Sequence, residues 1–443
     1  MRTILLALGL LVFSKLPAQL CMSPASYYQT DSIPVALTYA DFNADGILDI
    51  ATANDRQTKN VSILLGTGSG NFAYHTNLTA GTEPISITSA DFNNDGKIDL
   101  AIANNTGHGI SVFKGMGGGN FSSPINIPTG NSPNGIASAD LNSDGKVDLV
   151  VGNFATGEIF ILQGTGTANF GIVQTYTVPL WPTHIIIKDI NADGNLDLIV
   201  NSHIGSASVL LGNGNTTFNS PVSYVVSAES WNLAIADFNN DGIDDLASAG
   251  NYHNDVTVLL GNGTGGFSTV QNFTVDVNPS FISSGDYDLD GNQDIVVSFP
   301  YQNSIAIYLG NGQCGFGLPY YYSDSAWQTD ILPRDFDLDG RTDLAFAGGA
   351  KSISILFNCS MVGINELSGK SKLSIYPNPG KGTIYAETEN RIDHLKIFNS
   401  VGQVIYERTP NTNLCSFQLN EPGLYFIAVY SGQITSTQKI IIE

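Results

Sequence analysis

One nine-residue pattern recurs seven times in this chain at a nearly constant interval. Asp-x-(Asn/Asp)-x-Asp-Gly-x-x-Asp begins at Asp41, Asp91, Asp140, Asp189, Asp237, Asp286 and Asp335, 48 to 50 residues apart. Self-similarity at this period restricts the fold to stacked or radially repeated units, since one repeat cannot bury its apolar face alone. A short alternating stretch such as Ile85–Ala90 precedes each copy, and a second such as Leu100–Ala103 follows it. A third (Val61–Leu65, Ile110–Phe113, Val256–Leu260) leads to a Gly-rich turn ending in Phe at 72, 121, 170, 218, 267 and 316. A fourth runs from that Phe to the next unit. Period-two alternation bounded by Gly, Asn and Asp reads as strand and turn. Four antiparallel strands per unit make a propeller blade. Seven units predict an all-β fold, a seven-bladed β-propeller over residues 19–360.

The phase of the repeats predicts how the ring closes. Each turn Phe precedes the next Asp loop by 19 residues, and 19 before Asp41 stands Met22. Residues 22–30 therefore read as a fourth strand without its first three, while the seventh unit stops after its third, Ile353–Phe357. The N-terminal strand is expected to complete the last blade and leave no free edge. A Gly opens each turn (66, 115, 164, 212, 261, 310), 23–25 residues after the first Asp, and 24 after Asp335 lies Cys359. Cys21 immediately precedes Met22. A Cys21–Cys359 disulfide is expected, with Cys314 and Cys415 unpaired.

Oxygen donors at loop positions 1, 3, 5 and 9, a backbone carbonyl at 7 and Gly at 6 suit a hard cation, Ca²⁺. The candidate ligands in the first loop are Asp41, Asn43, Asp45, Asp49 and the carbonyl of Ile47. The second has Asp91, Asn93, Asp95, Lys97 and Asp99; the third Asp140, Asn142, Asp144, Lys146 and Asp148. The fourth has Asp189, Asn191, Asp193, Asn195 and Asp197; the fifth Asp237, Asn239, Asp241, Ile243 and Asp245. The sixth has Asp286, Asp288, Asp290, Asn292 and Asp294; the seventh Asp335, Asp337, Asp339, Arg341 and Asp343. Asp, Asn and Gly also build metal-free turns, but a turn does not require carboxylates at fixed offsets in every copy. About one structural Ca²⁺ per blade is expected. Position 12 of the first loop is Thr52 rather than Glu, so an EF-hand is excluded. Forty acidic against 18 basic side chains give a formal charge of −22, which excludes nucleic-acid binding through bulk charge. Seven Ca²⁺ would offset about 14 of those charges.

These loops, with Gly-rich turns such as Gly261–Phe267, resemble FG-GAP (VCBS-type) repeats, as in the propeller of integrin α subunits. The resemblance covers residues 22–359 and implies structural calcium. Integrin-type ligand recognition is not implied, because no motif here corresponds to it.

Beyond Cys359 the period stops. Residues 361–371 read as a linker, and 372–443 as about seven strands of a small Ig-like β-sandwich. Tyr376-Pro377-Asn378-Pro379, Ile397-Phe398-Asn399, Gly402-Gln403, Gly423-Leu424-Tyr425-Phe426 and Lys439-Ile440-Ile441-Ile442 resemble the type A C-terminal sorting domain of type IX secretion. The resemblance implies that machinery as a partner. Residues 1–18 read as a signal peptide, with Arg2, an apolar Ile4–Phe13 and a cleavage site at Leu16-Pro17-Ala18. That run is too short to span a bilayer, and no transmembrane segment is expected. The chain is expected to be secreted or held at the outer cell surface.

No catalytic constellation stands out: no Gly-x-Ser-x-Gly occurs, and the six His show no metal-ligand spacing. Glu83, Glu158 and Glu229 are the carboxylates that an enzyme would recruit across the ring; otherwise they are surface charge. All three Trp (181, 231, 327) fall in inter-blade loops, on the face opposite the Asp loops. Tyr252, His253 and Tyr301 come from neighbouring loops, with His184, Asn232 and Gln328 as polar neighbours. Trp231 shares its slot with Val35 and Ile85 and reads as a wedge between blades. Aromatic faces beside polar groups suit sugar rings or a protein partner. The expected function is an exported calcium-binding module for an extracellular glycan or protein ligand. The alternative is a polysaccharide lyase or glycoside hydrolase on the same propeller.

Overall fold

The computed structural model describes residues 20–55, 60–107, 109–323, 327–348, 351–359, 373–376, 383–399, 404–419, 422–431 and 434–442. The expected signal peptide (1–18) and linker (361–371) lie outside the described residues. The chain divides into two compact units, Met1–Cys359 and Ser360–Glu443.

Period-two stretches separated by Gly-, Asn- and Asp-rich turns become strands throughout the first unit. Its described residues form seven four-stranded antiparallel sheets, here sheets 1 to 7, spanning 33–79, 84–128, 133–177, 182–225, 233–274, 282–323 and 328–356. Sheet 7 draws its fourth strand, Ser26–Gln29, from the N-terminus; it pairs with Ser352–Leu356, Tyr28 opposite Ile353. The middle strands are buried on both faces because each sheet is packed between two others: all six residues of Asp99–Asn104 are buried. First strands of successive sheets are neighbours at six seams, sheet 7 returning to sheet 1, and sheets 4 and 5 share one core, so the sheets surround an axis. This is the radial repetition of a propeller.

One contact recurs at the seams. The second residue of each Asp loop packs against the turn Phe of the following sheet. Phe42 meets Phe121, Phe92 meets Phe170, and Phe238 meets Phe316 edge to face, with centroids 5.5–5.8 Å apart. Phe336 meets Phe72 in the same way at 5.8 Å, closing sheet 7 onto sheet 1. Leu141 with Phe218, Ile190 with Phe267 and Tyr287 with Met22 share the remaining seam cores. Met22 thus fills the Phe slot of sheet 7, and it bridges Asn358.

The Gly that opens each turn has a steric reason. A Cβ at Gly66, Gly164 or Gly310 would lie 2.1–2.3 Å from the backbone oxygen of Leu48, Val147 or Gln293. The spacing count assigned this slot in sheet 7 to Cys359; the structure assigns it to Asn358. Asn358 N–H donates to Asp343, as Gly66 N–H does to Asp49. The seventh unit has the short 23-residue spacing of the fourth, which moves the slot back by one. Cys359 then stands directly across from Cys21. The two are disulfide-bonded, Cα atoms 5.2 Å apart, and Cys314 and Cys415 are free.

In the second unit the described strands form a three-stranded sheet (Ser374–Tyr376, Thr383–Ile392, Thr412–Gln418) and a four-stranded one (Val404–Arg408, His394–Asn399, Gly423–Ser431, Ile434–Ile442). Ile384, Ala386 and Phe417 of the first share one core with Ile397, Ile427 and Ile440 of the second. No helix among the described residues is long and apolar enough to cross a membrane.

Candidate functional site

Each Asp loop folds onto its own backbone. In all seven the position-1 aspartate takes the N–H groups of positions 5 and 6, as Asp189 does from Asp193 (3.2 Å) and Gly194 (2.9 Å). Position 5 accepts the N–H of position 7, as Asp193 does from Asn195 at 2.8 Å. Position 4 sits in the left-handed region in every copy, from Ala44 (φ 63°) to Leu338 (φ 62°), which reverses the chain within the loop.

The ninth-position aspartates are different. Asp49, Asp99, Asp148, Asp197, Asp245, Asp294 and Asp343 are all fully buried. One oxygen of each accepts the N–H of loop position 2, and the other accepts the N–H that opens the Gly turn: Phe42 at 2.8 Å and Gly66 at 2.7 Å for Asp49. Burial, followed by repulsion from their own loop's aspartates, pushes Asp49, Asp99 and Asp245 up to about 6 and Asp294 and Asp343 up to about 7. In loops 6 and 7 the carboxylates of Asp286, Asp288 and Asp294, and of Asp335, Asp337 and Asp343, lie within 4.8 Å of one another. An all-oxygen, mutually repelling donor set fits a hard divalent cation.

The opposite face carries a row of rings. Phe154 stacks on Trp181 (6.0 Å, 14° between planes), Trp181 meets His203 at 6.4 Å, and His203 lies on Trp231 at 4.5 Å. Backbone bonds run beneath the row. Trp181 N–H donates to Phe154 O (3.2 Å), His203 N–H to Trp181 O (2.9 Å), and Glu229 N–H to His203 O (2.8 Å). Glu83, Ser132, Trp181, Glu229 and Asn278 occupy one repeated corner, all with φ between 56° and 66°. Two of the candidate carboxylates, Glu83 and Glu229, are therefore corner residues of separate inter-sheet loops, between sheets 1 and 2 and between sheets 4 and 5. Glu158 stands apart, bonded by Thr156 Oγ1 at 2.8 Å.

Trp181 is 42% exposed. Tyr252 pairs with His253 at 4.6 Å and Tyr301 with Trp327 at 4.4 Å, forming two further exposed aromatic groups. His184 and Asn232 do not join this face. They lie on the axial side and reach the next sheet: Leu233 N–H approaches His184 Nδ1 at 3.5 Å, and Asn232 exchanges bonds with the Ile282 backbone. Gln328 is buried. Trp231 is half-buried, its ring on His203. Spacing missed Phe154 and His203, although they are 49 residues apart and hold the same repeat slot.

A model of the FG-GAP-like repeat matches residues 41–102, 91–151, 140–200, 189–248, 237–297 and 286–346. The chain belongs to the FG-GAP-like repeat family. A secretion system C-terminal sorting domain matches residues 374–443, so this FG-GAP-like protein is a type IX cargo, destined for the cell surface or for secretion. No curated protein matches it. Among solved structures it is similar to BBS1N in complex with ARL6DN, with 13% identity over 79% of this chain and 100% of that one, at a TM-score of 0.57. It is also similar to a putative 6-phosphogluconolactonase from Bacteroides uniformis, with 12% identity over 66% and 85% of the two chains, at a TM-score of 0.53. At such identities the likeness concerns the fold alone.

Proposed function

We propose that this FG-GAP-like protein is an extracellular binding module whose propeller is held by calcium and whose aromatic face takes a glycan. In each loop Ca²⁺ would be held by the oxygens of positions 1, 3, 5 and 9 and the carbonyl of position 7. The ion's role is to neutralise the acidic cluster and stiffen the turn. The observation that carries the glycan reading is the row Phe154–Trp181–His203–Trp231. Flat rings fixed by a backbone ladder offer apolar faces to sugar C–H groups, with little ordering left to do on binding. The Glu229 corner beside the row supplies a hydrogen-bonding edge.

A glycan array probed with the full mature chain in millimolar Ca²⁺, alongside a reducing-end assay on every hit, tests the reading. Hits that persist without turnover and weaken in Trp181→Ala are expected. An array without hits would sink it. Turnover that disappears in Glu229→Gln would establish the lyase or hydrolase alternative, which the position of Glu229 next to His203 makes specific.

A further inference from the structure

A cleft of about 300 Å³ opens between sheets 4 and 5, immediately beside the aromatic row. Ile204, which follows His203, and Val225 form its apolar lip, 47% and 79% exposed. Asp255, Thr257, Thr269 and Asn272 of sheet 5 form its polar wall. Asp255 and Thr257 are two apart on one strand and so share a face, and Asn272 stands opposite Thr257 on the next strand. Asp255 Oδ1 is buried and has no hydrogen-bond partner.

The repeat supplies an internal control. The residue that opens the third strand of each sheet is Asn60, Gly109, Glu158, Ser206, Asp255, Ser304 or Ser352. The Glu158 carboxylate is met by Thr156, and the Asn60 amide by Asp31 at 2.5 Å. Asp255, itself half-buried, places an acceptor in the same slot, and its enclosed Oδ1 is directed to no donor, an arrangement that costs free energy. A ligand hydroxyl would satisfy it.

We infer that this cleft is a subsite for one pyranose residue, its hydroxyls held by Asp255 and Asn272 and its C–H face resting on Ile204 and Val225. The inference rests on the glycan reading and adds where a single sugar seats. The volume is at the lower end for ligand pockets and suits one ring rather than a chain; the aromatic row beside it would take the rest of the oligosaccharide.

Isothermal titration of the full mature chain in Ca²⁺ with the methyl glycosides of glucose, galactose, mannose and N-acetylglucosamine tests the subsite. One of them should bind, weakened about tenfold or more in Asp255→Ala, as loss of a charged hydrogen-bond partner does. Asn272 is exposed, so Asn272→Ala should fold normally and weaken the same glycoside. Trp181→Ala should leave it unchanged while lowering affinity for the array oligosaccharide. Array hits with no methyl glycoside bound, or with binding intact in both cleft variants, would overturn the subsite and spare the glycan reading. Lysine methyl ester binding in place of every sugar would also overturn it. An array without hits removes both.

Discussion

The Asp330 carboxylate accepts the backbone N–H of Leu37 at 2.9 Å, across 293 positions of sequence. This bond fastens the innermost strand of sheet 7 to that of sheet 1, where the ring closes. Asp330 and His184 hold the same slot, opposite Ala347 and Asn201 in their sheets. His184 faces Leu233 N–H across the next seam in the same way, and Asn232 Oδ1 accepts Ile282 N–H at 2.9 Å. Three seams thus use one polar side chain to reach the neighbouring backbone.

Asp330 should make the fold less stable as pH rises. The residue as a whole is half-buried, yet protein surrounds its carboxyl, and burial pushes its pKa up to about 6 against the N–H bonds from Leu37 and Ile331. Between about pH 4 and 6 the folded state keeps a proton that the unfolded chain has lost, so stability falls across that window. Asp330→Asn keeps an acceptor and removes the charge. Its melting temperature should rise relative to wild type from pH 4 to 6, a difference on the order of 2 kcal/mol, and stay level above. A gap that does not change with pH would refute this.

His184 should act with the opposite sign. Burial lowers it to about 4. From pH 6.5 down to about 4 the unfolded chain takes up a proton that the folded ring refuses, and stability declines with acid. His184→Gln should flatten that part of the acid limb. Thermal melts of both proteins at fixed Ca²⁺ check it; parallel curves would mean that His184 does not contribute.

Two aspartates of one loop should behave differently. Asp193 is exposed, whereas Asp197 is buried and accepts Ile190 N–H (3.1 Å) and Gly212 N–H (2.7 Å). Wild type should melt well above its chelated form once millimolar Ca²⁺ is present. Asp193→Ala should lose part of that gain and match wild type in chelator. Asp197→Ala strands two buried donors, and should be destabilised in both buffers by on the order of 2–4 kcal/mol. Equal losses in chelator would contradict the division of roles.

The Cys21–Cys359 bond ties the borrowed strand Ser26–Gln29 into sheet 7. Cys21→Ser should cost about 2–5 kcal/mol. Amide exchange at Tyr27–Gln29 should rise more than in sheets 2 to 5, as only this strand depends on the bond. Uniform exchange across the ring would argue against local release.

Trp181 holds φ 66° with a bulky side chain, a conformation that costs about 1–3 kcal/mol and that glycine adopts freely. Trp181→Gly should therefore melt no lower than wild type while losing glycan affinity. A marked drop in melting temperature would show that the ring is there for packing against Phe154 and His203.

The sequence by itself determined whatever repeats. A period near 49 with Asp, Gly and Phe at constant offsets specifies unit, strand order and loop chemistry, because each is set within one repeat. Counting 19 residues back from Asp41 to Met22 even located the strand that completes sheet 7. Tertiary structure decided what crosses a seam. Only packed sheets reveal that the ninth aspartate serves two buried N–H groups, that Asn358 rather than Cys359 enters the Gly slot, and that His184 and Asn232 turn toward the axis. Phe154, Trp181, His203 and Trp231 come from three repeats and form a row only when sheets 3, 4 and 5 are side by side. Asp255 is an ordinary strand residue until sheet 4 is placed beside it. A residue's chemistry and period are local properties, but the face that it meets belongs to another sheet, and packing between sheets sets that distance.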